Sequence, residues 1–85
     1  MTETLRAHVE RRLGLALGRF ADRIGPVTVR FSRRDGQIHC EVDVELRPRV
    51  VRVGDEDLDP ARAAEYAIWR VDGPLGRAIE RQHEW

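Results

Sequence analysis

The ten residues from Gln37 to Leu46 alternate between polar and apolar side chains. A period of two is typical of a β-strand that buries one face and exposes the other, and this is the clearest strand pattern in the sequence. Ile38, Cys40 and every second residue up to Leu46 are expected to face inward. Such a strand needs neighbouring strands and a covering layer, so the chain is expected to build a sheet with one buried face.

Two further strands are predicted on either side of this one. Val27 to Phe31 shows the same alternation, and the intervening Asp35-Gly36 pair favours a tight hairpin. Beyond the corner at Pro48, Arg49 to Val53 is expected to form a short third strand. The three strands make an antiparallel meander, and an acidic connection from Asp55 to Pro60 is expected to follow it.

A helix is predicted before the strands, from about Glu3 to Arg23. Thr2 is suited to cap its N-terminus. Gly25-Pro26 is expected to end it, because a proline disfavours the helical conformation in the residue before it. The apolar residues recur every three or four positions and therefore share one stripe: Leu5, Val9, Leu13, Leu17, Phe20 and Ile24.

A second helix is predicted after the strands, with Asp59 as its N-cap and Pro60 at its first position. The dipeptide Gly73-Pro74 falls inside this helix. We therefore expect either one kinked helix or two short helices in near register, and favour the single kinked helix. The apolar residues that keep the helical period across the break are Ala64, Ile68, Val71, Leu75 and Ile79.

These elements predict an α+β fold in the order α-β-β-β-α. Because each element has one apolar face, the two helices must cover the same face of the three-stranded antiparallel sheet. With 85 residues, the chain is expected to form one domain, residues 1–85, that buries only about 60 to 65% of its unfolded surface. A large internal substrate cavity is not expected in so small a core.

Several classes of function have no support in the sequence. Cys40, the one cysteine, and its neighbour His39 are expected to point to opposite faces of a strand, so they do not form a nucleophile and base pair. The acidic cluster between residues 55 and 59 lacks the spacing of an EF-hand loop. We expect no enzyme, no cofactor and no metal. Because neither a membrane-spanning run nor an apolar leader is found, we expect a cytoplasmic protein.

Charge is segregated along the chain although the formal net charge is zero. Residues 1–34 carry eight arginines and three acids, whereas residues 35–59 carry three arginines and eight acids. The outer face of the central strand is expected to pair with Arg30 and Arg52 and to avoid RNA. It carries His39, Glu41, Asp43 and Glu45.

Two rows of mostly basic residues follow the helices with the same spacing of four, seven and four positions. They are His8, Arg12, Arg19 and Arg23 on the first helix, and Tyr66, Arg70, Arg77 and Arg81 on the last. If the helices lie side by side, the rows converge on a phosphate-binding surface, because guanidinium groups fork onto phosphates. The alternative is two solvated helix faces whose arginines pair with nearby acids: Glu10, Asp22, Glu65 or Glu80.

The order of the elements and several of their residues resemble the ribosome hibernation-promoting factor and ribosome-associated inhibitor family. The resemblance rests on Cys40 partway along the second strand and on four stretches: Thr4–Leu13, Arg19–Ile24, Tyr66–Ile68 and Leu75–Arg81. It implies a fold similar to double-stranded-RNA-binding domains with one extra strand at the start. It also implies a non-catalytic protein that binds the small ribosomal subunit in the channel of mRNA and tRNA and blocks translation in resting or stressed cells.

On this resemblance, the partner is the ribosomal RNA of the small subunit and arginines contact its phosphates. The expected contacts are Arg12, Arg19, Arg23, Arg70, Arg77 and Arg81, with Arg33 and Arg34 at the hairpin tip as secondary ones. One alternative is a family relative without ribosome binding that acts as a protein-interaction or dimerisation module. Another is a general double-stranded-RNA binder, which the lack of dense basic residues at the start of the closing helix disfavours.

Two expectations concern further partners. The strand that opens the family's fold has no counterpart in the sequence, which leaves the strand Val27 to Phe31 at an edge, where it is a template for another chain. We therefore hypothesise a homodimer through this edge. Trp69 is expected to be a half-buried packing residue rather than a platform for base stacking. Trp85 fits either role.

Overall fold

The computed structural model describes residues 2–82 and confirms the predicted order of helices and strands. Trp85 lies outside the described residues. A short 3₁₀ segment, Gly18–Arg23, follows the first helix. The helices are α1 (Glu3–Leu17) and α2 (Pro60–Gln82), and the strands are β1 (Val27–Arg34), β2 (Gln37–Glu45) and β3 (Val50–Asp57).

The sheet is an antiparallel meander in the order β1-β2-β3, as the sequence predicts. In its middle, Val42 of β2 lies between Val29 of β1 and Val53 of β3. Asp35 and Gly36 form the β1–β2 turn with φ angles of 49° and 80°. Positive φ at both central residues is typical of the tight hairpin turn that an Asp-Gly pair favours.

The third strand is longer than its sequence predicts, because its acidic end pairs with the central strand. Asp55 pairs with Cys40 and Asp57 with Ile38, so these acids belong to β3 and the prediction of an acidic connection from Asp55 to Pro60 was wrong. Alternation along the strand turns both carboxylates toward the helix side of the sheet. There each one meets an arginine of α2, which compensates its charge.

The first helix ends earlier than predicted, at Leu17, and the chain continues as the 3₁₀ segment up to Arg23. Two glycines near this point, Gly14 and Gly18, lower the helix propensity of the last turns. The predicted cap at Thr2 is confirmed, since its hydroxyl accepts a hydrogen bond from the Leu5 N–H at 3.1 Å.

The final helix is a single helix across Gly73-Pro74, which confirms the favoured alternative over two short helices; the kink at this point stays a prediction. Asp59 caps it by accepting a hydrogen bond from the Ala61 N–H at 3.1 Å. Pro74 has no N–H to donate to the carbonyl of Arg70, which is an exposed residue. The buried side of the same turns, with Val71 and Leu75, holds the helix against the sheet.

The core lies between the sheet and α2, which packs against β2 and β3, while α1 lies beside α2. Its largest fully buried side chains are Leu75, Val42, Val44, Val71 and Cys40. Cys40 is therefore the core residue that its position in the alternation predicts. Burial raises the pKa of its thiol to about 11, which keeps it neutral and unreactive near pH 7.

The outer face of the sheet carries the predicted cross-strand ion pairs. Arg30 of β1 lies 2.9 Å from Glu41 and 3.0 Å from Asp43 on β2, and Arg52 of β3 lies 3.3 Å from Asp43. Arginines from both neighbours thus compensate the acids of the central strand. At one end of this face, His39 Nδ1 lies 3.4 Å from the Glu56 carboxylate.

Candidate nucleic-acid interface

The two helices run parallel, which two ion pairs between them establish. Arg12 of α1 lies 3.0 Å from Glu65 of α2, and Arg19 forms an ion pair with Asp72. Both pairs join residues 53 positions apart. The helices therefore advance together over two turns, and the first row of basic residues faces the side of α2.

The alternative interpretation of this row, that its arginines pair with acids, holds for Arg12 and Arg19. Glu65 was named from the sequence as a partner, whereas Asp72 was missed. The missed signal is a matched spacing: Arg12 and Arg19 are seven residues apart, and so are Glu65 and Asp72. Two rows with equal spacing on parallel helices bring both pairs into contact at once.

The second row lies on the other side of α2, so the expectation that the two rows converge was wrong. The Nε of Arg70 lies 2.6 Å from the Asp55 carboxylate on β3, away from α1. Arg77 is the next residue of the second row along α2, and its guanidinium group folds back toward Gly73. The exposed ring of Trp69 separates the two rows, since it borders both the α1–α2 groove and the cleft at Asp55.

The pKa of Asp55 is lowered, first because its carboxylate accepts a hydrogen bond from the Glu56 N–H and second because it accepts one from Arg70. We predict that Arg70→Gln raises this pKa only part of the way to its ordinary value, since the backbone bond remains. A lowered folded-state pKa stabilises the fold above the unfolded-state pKa, and this stabilisation is lost as the pH falls through the folded-state value. An NMR titration of the Asp55 carboxyl carbon measures the shift. A pKa unchanged by Arg70→Gln would contradict the ion pair.

The remaining predicted contacts are exposed arginines with different surroundings. No carboxylate within residues 2–82 lies at ion-pair distance from Arg33, Arg34, Arg77 or Arg81. Arg23 stands at the end of the 3₁₀ segment, in a cleft that Arg19 and Glu80 also line. The structure brings Arg19 and Arg23 together, and leaves Arg33 and Arg34 at the separate hairpin tip.

Trp69 is 81% exposed, so the expectation of a half-buried packing residue was wrong. Ile68 and Val71 take the core positions of that turn, and the helical rotation carries Trp69 outward.

The described residues contain no cluster of three or more metal-binding side chains, and neither helix is long and apolar enough to cross a membrane.

No family model matches the chain, and no curated protein matches it significantly. Solved structures do match. The chain is similar to a ribosomal subunit interface protein from Coxiella burnetii, with 16% identity and a TM-score of 0.78 over 93% of this chain and 86% of that one. It is also similar to the N-terminal domain of Protein Y from Thermus thermophilus, with 28% identity and a TM-score of 0.74 over 91% and 84%.

The resemblance to the hibernation-promoting factor family is confirmed. The chain has the α+β fold of these neighbours, with two helices and a three-stranded antiparallel sheet. This is the fold class that the sequence predicts. Neither neighbour is named as an enzyme, in agreement with the expectation that this chain is not one.

Proposed function

We propose that this hibernation-factor-like domain associates with the small ribosomal subunit in the cytoplasm and reduces translation by occupying space, without catalysis. The observation that carries the proposal is the structural likeness to the Coxiella burnetii and Thermus thermophilus proteins over more than nine-tenths of the chain. The partner is ribosomal RNA, which arginines contact through its phosphates.

The eight proposed RNA contacts fall into two groups, according to whether an ion pair with a carboxylate must break before the arginine binds phosphate. Four have no carboxylate partner among residues 2–82 and meet phosphate directly: Arg33, Arg34, Arg77 and Arg81. Arg12, Arg19 and Arg70 exchange a carboxylate for a phosphate, and Arg23 completes the set beside Arg19. The exchange costs little, since exposed ion pairs contribute only about 0 to 1 kcal/mol.

Ribosome binding is expected to depend steeply on salt. If about six arginines each displace a counterion from a phosphate, affinity falls by about three orders of magnitude between 50 and 200 mM salt. Co-sedimentation with purified ribosomes over this range measures the dependence. Failure of the wild-type chain to bind at low salt would overturn the proposed function, and salt-independent binding would overturn the phosphate contacts.

A pair of matched variants tests the location of the contacts. Arg77→Glu with Arg81→Glu reverses two proposed contacts on α2, whereas Arg6→Glu with Arg11→Glu reverses two exposed arginines of α1 outside the proposed set. Both variants change the net charge equally, so a non-specific loss of attraction is the same in each. We expect the α2 variant to lose at least about tenfold more affinity. Equal losses would contradict the assignment.

The second candidate is a protein-interaction or dimerisation role through the open edge of β1. Among the described residues, β1 pairs only with β2 along its eight residues. The other edge strand, β3, is protected by the charges of Asp55, Glu56 and Asp57, whereas the first three residues of β1, Val27 to Val29, carry no charge. A monomeric mass by light scattering at tens of micromolar would remove this candidate.

A further inference from the structure

An exposed apolar patch lies on the outer surface of the helices. Trp69 is 81% exposed, Leu15 is 76% exposed and Tyr66 is 43% exposed. Trp69 and Leu15 line the same groove between α1 and α2, along with Ala16. Contiguous apolar surface of this kind is typical of interaction sites, and tryptophan is the residue most enriched among those that dominate interface affinity.

The charges beside this patch are divided between the helices by sign. On the α1 side stand Arg12 and Arg19, and on the α2 side stand Glu65 and Asp72. Glu65 and Asp72 are seven residues apart on α2, about 10 Å along its axis, and Arg12 of α1 and Arg19 of the 3₁₀ segment have the same sequence spacing. We call Arg12 and Arg19 the basic wall of the groove, and Glu65 and Asp72 its acidic wall. Because the helices are parallel and in register, the two walls carry their charges at the same heights along the groove.

This distribution is self-complementary under one particular symmetry. A two-fold axis parallel to the helices places α1 of one copy over α2 of the other, at the same height and in the same direction. Arg12 and Arg19 then face Glu65 and Asp72 of the second copy. A two-fold axis across the helices would instead place basic wall on basic wall.

The same axis brings the apolar centres together. The register of the helices sets Leu15 level with Ile68, one residue before Trp69. Leu15 of each copy therefore lies opposite Trp69 of the other, and the contact occurs twice. We propose that this helical face is a homodimer interface, with reciprocal Leu15–Trp69 contacts at its centre and alternating charges at its rim.

The charge balance favours a second copy over single-stranded RNA as the occupant. Sites for single-stranded RNA combine aromatic side chains with a positively charged groove. Here the groove beside the patch carries Glu65 and Asp72 as well as Arg12 and Arg19, so these four side chains give it no net positive charge. An apolar centre within a rim of both signs is the usual anatomy of a protein interface. The inference does not rest on ribosome binding, which can fail while the dimer forms. Because Arg12 and Arg19 are also proposed RNA contacts, the second copy and the ribosome compete for this face.

A mixing experiment tests the proposed symmetry. One variant, Arg12→Glu with Arg19→Asp, makes both walls acidic, and the other, Glu65→Arg with Asp72→Arg, makes both walls basic. We expect the wild-type chain to show a dimeric mass by sedimentation equilibrium at tens of micromolar, each variant alone to be monomeric, and their mixture to form a heterodimer. Native mass spectrometry identifies the heterodimer by its mass.

Matched substitutions test the centre of the interface. Trp69→Ala is expected to weaken dimerisation at least tenfold, whereas Leu58→Ala, at a side chain that is 74% exposed outside the patch, leaves it unchanged. A monomeric wild-type chain overturns the proposal. So does a dimer that survives Trp69→Ala, which indicates the β1 edge instead. Loss of ribosome binding by Trp69→Ala in a monomeric chain also overturns it and indicates base stacking.

Discussion

Replacement of Leu75 by alanine is expected to lower the free energy of unfolding by about 3 kcal/mol, within the range of about 2 to 5 kcal/mol for buried leucines. Leu75 is fully buried at the centre of the core, where α2 packs on β2 and β3. Truncation removes three carbon atoms from an apolar site and leaves a cavity. The fixed strands and the long helix around this site limit how far the structure can close it.

A matched control for this prediction exists in the same chain. Leu15→Ala makes the same chemical change at a side chain that is 76% exposed, and we expect it to change the free energy of unfolding by less than about 0.5 kcal/mol. Urea denaturation of both variants and the wild type gives the comparison. Protein concentration must be low enough to prevent self-association, which adds apparent stability. Similar losses in the two variants would contradict the assignment of Leu75 to the core.

Two Gly→Ala substitutions are expected to have opposite effects on stability. At Gly54 of β3, an added Cβ would lie 2.9 Å from His39 Cε1 and 3.3 Å from the Cys40 carbonyl oxygen. The His39 ring must move away from the added Cβ, and the backbone of the central strand at Cys40 must shift slightly. We expect a loss of about 1 to 3 kcal/mol, the usual cost of forcing extra atoms into a packed site.

At Gly76 of α2 the same added Cβ meets no heavy atom within 4 Å. Alanine is a better helix former than glycine and restricts the unfolded chain, so Gly76→Ala is expected to stabilise the protein by about 0.5 to 1 kcal/mol. Thermal and urea denaturation show whether each variant raises or lowers the free energy of unfolding. A stabilising Gly54→Ala would show that His39 does not cover Gly54.

Features that depend on neighbouring residues were predictable from the sequence. The alternation from Gln37 to Leu46 identified the central strand, the Asp35-Gly36 pair identified its hairpin, and Thr2 and Asp59 identified the helix caps. Each of these signals acts over a few positions, where backbone geometry fixes which side chains and hydrogen-bonding groups meet. The single apolar face of each element predicted that both helices cover the same face of the sheet, and the structural neighbours support this fold.

Features that depend on distant residues were not predictable in the same way. The end of β3 was expected to be a loop because it is acidic, yet pairing with β2 keeps Asp55 and Asp57 in the sheet. Trp69 was expected to pack against its surroundings, yet the core positions of its turn belong to Ile68 and Val71. In both cases the type of residue favoured one environment, and the packing of the strands and helices placed it in another.

The sequence by itself determined the order of the elements, their buried faces and the presence of two rows of arginine on the helices. Only the tertiary structure decided what those arginines face. Arg12 and Arg19 meet Glu65 and Asp72 across 53 residues of chain, because the three strands that connect the helices in sequence set the direction and register of α2 relative to α1. No local pattern specifies that register, since it follows from how the apolar faces of α1, α2 and the sheet pack together.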